Sequence, residues 1–76
     1  MTTPAHPGHV VFAEVGSPRE KVLPVSEVPE SVAFARVGDA LVPVVRVVAE
    51  VVGDRRVLTS YGVDGQRLGA TWQTRG

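Results

Sequence analysis

Three arginines, Arg46, Arg56 and Arg67, are the residues of this 76-residue chain best suited to hold a ligand. A guanidinium stays charged at any ordinary pH and presents a planar fork of donors that matches a carboxylate or phosphate. Under the strand register derived below, Arg46, Gly62 and Arg67 fall in one cross-strand row. The glycine leaves room between two guanidinium groups for an anion. The competing explanation is two solvated arginines, with Glu50 near Arg46 on the same face, and exposed pairs of that kind contribute only about 0–1 kcal/mol. Tyr61 and Trp72, the single tyrosine and single tryptophan, could stack single-stranded nucleic acid on a β surface beside those arginines. The same register instead puts both on the apolar face, where aromatic side chains dominate small cores.

His6 and His9 form a His-x-x-His spacing in a segment rich in proline and glycine. A metal shell needs more ligands in fixed geometry, and the chain holds no cysteine and no third histidine, so neither a metal nor a cofactor is expected. A catalytic triad needs a histidine held against a nucleophile, which two histidines in or beside a tail do not provide. Asp39, Asp54 and Asp64 all adjoin glycine in turn positions, where local backbone hydrogen bonding accounts for aspartate. Gly62-Val63-Asp64-Gly65 leads into a strand, whereas a phosphate-cradling loop leads into a helix. No catalytic residue is assigned, and the chain reads as non-enzymatic.

The formal net charge is zero, which disfavours a nonspecific nucleic-acid or membrane-surface binder. Acids prevail slightly in residues 1–45 and arginines in residues 46–76. Seven of the eight basic residues are arginine, a usage that fits a high-GC bacterial or phage genome as well as any need for bidentate contacts. The absence of cysteine excludes a disulfide framework and mildly favours a reducing compartment. The first nine residues lack the basic and apolar regions of a secretory signal. The expected location is therefore cytoplasmic, or within a particle.

Positioning falls to strands. The run Ala40–Val52 is dominated by valine and bounded by Gly38-Asp39 and Gly53-Asp54. Valine loses side-chain freedom in a helix and packs well on a pleated surface, and Gly-Asp suits a two-residue hairpin. The run is too short for a membrane-spanning helix and carries Arg46 and Glu50. The expectation is an all-β fold: an antiparallel four-stranded meander over 31–37, 40–52, 56–62 and 66–73. One or two N-terminal strands, from His9–Val15 and Lys21–Val28, complete it into a small barrel or sandwich. Pro24 restricts the second of these to an edge or bulge. Residues 1–8 are expected to be a flexible tail, and 9–76 a single small β domain. Asp64-Gly65 is a favoured type I′ pair and marks the most distinct local hairpin.

Turn lengths set the register. Two residues at Gly38-Asp39 put Phe34 opposite Pro43 and Arg36 opposite Leu41. Two at Asp64-Gly65 put Val57 opposite Trp72, Thr59 opposite Ala70 and Tyr61 opposite Leu68. For the middle hairpin a three-residue turn, Gly53-Asp54-Arg55, keeps the rows apolar, setting Val51 against Val57 and Val47 against Tyr61. A two-residue turn would set Glu50 against Val57 and Arg46 against Tyr61. The first choice is preferred, because a one-residue slip moves every side chain to the other face. The expected core is Val32, Phe34, Leu41, Val45, Val47, Ala49, Val51, Val57, Tyr61, Leu68 and Trp72. On the back face, Val42, Val44, Val48 and Leu58 form an apolar patch beyond what short N-terminal strands can cover, and such patches mark partner surfaces.

Tyr61 to Leu68 resembles one unit of the tyrosine-aspartate repeats of large secreted shell-forming proteins. It covers eight residues, no second copy follows at a fixed spacing, and nothing about fold or function is carried over. The sequence therefore points to a non-enzymatic protein-interaction or assembly module, self-associating or bound to another protein, in the manner of a bacterial or phage accessory protein. The alternative is a small-barrel binder of nucleic acid or anions using the back-face arginines. No membrane partner is expected.

Overall fold

The computed structural model describes the backbone of residues 5–74 and the side chains of residues 5–71. Among these the fold is all-β. Its strands are β1 His9–Glu14, β2 Glu20–Pro24, β3 Phe34–Val37, β4 Ala40–Pro43, β5 Arg46–Val52, β6 Arg55–Tyr61 and β7 Arg67–Thr74. A 3₁₀ turn at Val25–Glu27 and a one-turn helix, α1, at Glu30–Ala33 lie between β2 and β3. Five strands form an open sheet in the order β2-β1-β5-β6-β7, and β3 and β4 form a separate two-stranded sheet. The ladder ends on β2 and β7 and does not close into a barrel. No helix among the described residues is long and apolar enough to cross a membrane.

The valine run is two strands rather than one, and the expected four-stranded meander is a three-stranded one, β5-β6-β7, with a detached hairpin before it. Pro43 explains the break, because it has no N–H to continue a ladder. Immediately after it the chain changes partners. The Val44 N–H donates to the Ala33 carbonyl at 2.8 Å, and the Val45 N–H donates to the Tyr61 carbonyl at 2.9 Å. Ser31 to Ala33, expected in a strand, is helical, started by Pro29 with Glu30 in the first turn.

Turn chemistry fixed two hairpins as expected in part. At Gly38-Asp39, Phe34 pairs with Pro43 and Arg36 with Leu41. In β6–β7, Val57 pairs with Trp72 and Thr59 with Ala70. Near the turn that register shifts by a bulge between Ser60 and Tyr61, so Tyr61 pairs with Arg67 and not Leu68. Among the described residues no non-glycine residue has a positive φ, so Asp64 does not adopt the type I′ conformation. The Gly65 N–H donates to the Gly62 carbonyl instead, and Gly65 takes the left-handed conformation at φ 78°. That is the three-residue hairpin loop with a glycine bulge.

The middle hairpin corrects the register. Its turn has two residues: Val52 pairs with Arg55, Glu50 with Val57 and Arg46 with Tyr61. Gly53 has φ 64°, as the first central position of a type II′ turn requires. The mixed rows are tolerated because they lie on the outer face. The inner face carries Val47 and Ala49 from β5, and Leu58, which pairs with Ala49. It also carries Phe12, which pairs with Val47 in a parallel β1–β5 ladder that no local signal announced.

The core is small: Val10, Val44 and Val47, with Phe12, Val28, Val32, Ala35, Leu58 and Leu68 packed against them. Of the expected core, Val47 and Ala49 are buried, Val32, Phe34, Val45, Val57, Tyr61 and Leu68 are half-buried, and Leu41 and Val51 are exposed. The Trp72 side chain lies outside the described ones. The expected tail is in part docked. His6 Nδ1 accepts from the Gly8 N–H at 3.1 Å, which leaves the proton on Nε2, and Nε2 donates to the Val44 carbonyl at 2.8 Å. The ring meets Phe34 edge to face at 5.6 Å, and the Gly8 carbonyl accepts from the Val25 N–H. Residues 1–4 of that expected tail lie outside the described ones.

Candidate functional site

The three arginines do not converge. Arg46 and Arg67 both pair with Tyr61, one from each side, forming an outer-face row Arg46–Tyr61–Arg67 across β5, β6 and β7. Tyr61, not Gly62, therefore separates the two arginines. Arg46 is engaged by Glu20 at 2.8 Å; both side chains are substantially exposed, so the pair is worth little. Arg56 lies two residues from Leu58 in β6 and shares its inner face. A hollow of about 320 Å³ adjoins the outer row, lined by Val45, Arg46, Val48, Tyr61, Gly62, Val63 and Gly65.

The expected valine patch is also divided. Val44 is 1% exposed, at the centre of the core. Leu58 packs on the same core from the inner face, Val42 is half-buried in β4 opposite Ala35, and Val48 is half-buried on the outer face. The four do not form one surface. Both ring nitrogens of His6 are occupied by backbone groups, and His9 is exposed in β1, so the His-x-x-His pair is spread over two roles.

What the chain brings together instead is a trough on the inner face. Two adjoining hollows of about 510 and 540 Å³ share Phe12, Val47, Arg56 and Leu58. Val32 and Ser31 of α1 line one end, and Ser17, Arg19 and Lys21 around the β1–β2 turn line the other. Lys21 pairs with Phe12 and so stands on the inner face. Among the described residues Arg56 and Lys21 make no ion pair, and Glu14 and Glu20 line the same hollow, so the trough has an apolar floor with charges of both signs on its walls. Sequence reasoning missed this because it placed Arg56 on the back face. Gly53 as the leading turn residue was the signal that would have set the register.

The two ends of the large sheet differ as well. β2 has five residues, including Glu20, Lys21 and Pro24. β7 has eight, without proline, and its one charged residue is Arg67 at the end. Compared with known proteins, the chain matches no family model, no curated protein and no solved structure.

Proposed function

We propose that this chain is a non-enzymatic interaction module that works as an assembly of copies. The observation that carries this reading is incomplete burial. Among the described residues seven large apolar ones, Val15, Val22, Val51 and Val63 included, are 41–62% exposed, while the fully buried large side chains are Val10 and Val44. A chain this short buries only about 60% of its unfolded surface and has little stability to spare. Contact with further copies adds the missing burial, and a two-fold dimer is the commonest arrangement for one chain type. The placement of the chemical side chains supports a non-catalytic role: Asp39, Asp54 and Asp64 are exposed, and His6 is committed to backbone contacts. The test is sedimentation equilibrium over a wide concentration range. A mass above the 8.1 kDa monomer that rises with concentration is expected. A monomer at every concentration overturns the reading.

A second reading, anion or nucleic-acid binding, is favoured by one observation: the ladder aligns Arg46, Tyr61 and Arg67 beside a hollow. Alternating cations and an aromatic ring suit a phosphate backbone with a stacked base. It predicts salt-dependent binding of a single-stranded oligonucleotide that weakens in Arg67→Ala. Binding that is undetectable at low salt removes it.

A further inference from the structure

Resting on the assembly reading above, we infer that the copies join through β7, which pairs antiparallel with β7 of a second copy to make one continuous sheet across the two-fold axis. Natural sheets guard their free edges with short strands, charges and proline, because an unguarded edge offers its unpaired N–H and C=O groups to any other strand. The β2 edge carries all three devices, with five residues, Glu20 and Lys21 within it, and Pro24 at its end. The β7 edge carries none along Leu68–Thr74 and is the last strand of the sheet order. The β3–β4 hairpin approaches β7 but shares no ladder with it.

Gly69 pairs with Ser60 beside the bulge of the β6–β7 ladder, where a glycine in a strand is common. A Cβ built on it meets nothing within 4 Å, so this stretch of β7 is open on that face.

The symmetry is restrictive. Two identical strands pair antiparallel only about an axis normal to the sheet, so one residue of each must face its own copy. Eight residues centred on Ala70 or Thr71 give the fullest overlap. With Ala70 on the axis, Arg67 stands opposite Gln73 of the other copy. The two Arg67 charges then lie about 20 Å apart along the ladder, at 3.4 Å per residue. Both troughs open on the same side of the joined sheet.

The chain has no cysteine, so single substitutions report the contact cleanly. Gly69→Cys, Ala70→Cys and Thr71→Cys, each at an exposed position, are oxidised with diamide beside Val22→Cys on the β2 edge. One of the three β7 variants should form a disulfide-linked dimer efficiently. Moving one residue from the axis separates like positions by roughly 7 Å along the strands, beyond the reach of a disulfide. Val22→Cys should remain monomeric on denaturing gels. Association in sedimentation without a cross-link at any of the three, or with the cross-link at Val22→Cys, overturns the β7 contact and leaves the assembly reading standing. A protein that sediments as a monomer at all concentrations overturns both.

Discussion

Val47 and Val51 are the same residue on the same strand and on the same face, four positions apart, yet Val47 is 5% exposed and Val51 is 55% exposed. At the Val47 end the inner face is roofed. Val44 crosses between the two sheets there, Val32 of α1 and Ala35 of β3 pack down, and His6 ties the N-terminal segment to the Val44 carbonyl. At the Val51 end the sheet runs on past its cover. The residue type is indifferent to this distinction, and burial is decided by what arrives from elsewhere in the chain. Valine patterning therefore marks the strands of this protein well and its interior poorly.

The sharpest way to break that comparison is to place a carboxylate at each position. Val47→Asp leaves an unpaired charge among Val10, Val44 and Phe12 and should cost upwards of ~4 kcal/mol. For a chain of this size, whose whole stability is about 4–11 kcal/mol, that unfolds it. Val51→Asp should melt within a few degrees of the parent. Equal losses in thermal melts would show that the Val51 end is roofed too. Next in size, Val10→Ala should cost roughly 2 kcal/mol, from lost methyl burial and the cavity left behind. A denaturant midpoint unchanged by Val10→Ala would remove β1 from the core.

His6→Ala tests the roof itself. It removes one hydrogen bond to Val44, one from Gly8 and the edge contact with Phe34, together worth about 1–2 kcal/mol. A melting temperature equal to the parent's would mean that the N-terminal segment contributes nothing to the covered end. The smallest effect belongs to the outer face. Arg46→Ala deletes an exposed ion pair with Glu20 and should shift stability by less than ~1 kcal/mol, and less still at high salt. A larger, salt-insensitive loss would mean that Arg46 packs rather than pairs.

Sequence reading succeeded where a local signal sufficed. Gly38-Asp39 fixed β3 against β4, and the spacing around Asp64-Gly65 fixed most of β6 against β7. It failed at Tyr61, where a bulge adds a residue that no side chain advertises. It chose the wrong turn at Gly53-Asp54 because it required every row to be uniformly apolar, and an outer face imposes no such rule. The β1–β5 ladder had no turn to reveal it, since its strands are separated by β2, α1 and the small sheet. His6 was hidden by Pro7 and Gly8, which look like linker and instead shape a dock. The candidate site fared worse than the fold. Arg46 and Arg67 do align, whereas Arg56, Val44 and Leu58 changed faces once the register and the break at Pro43 were in place.

The parallel pairing of β1 with β5 also orders events during synthesis. β1 can meet β2 as soon as both have emerged, but a lone two-stranded hairpin is marginal in water. Its other side needs Arg46–Ala49, on the order of thirty residues later, which at about 5–20 residues per second is a wait of a few seconds. Throughout that interval Val10 and Phe12, made early, have no floor to settle on. β1 is thus made well before the strand that locks it, and a chain halted before residue 46 has the hairpin and no sheet to join.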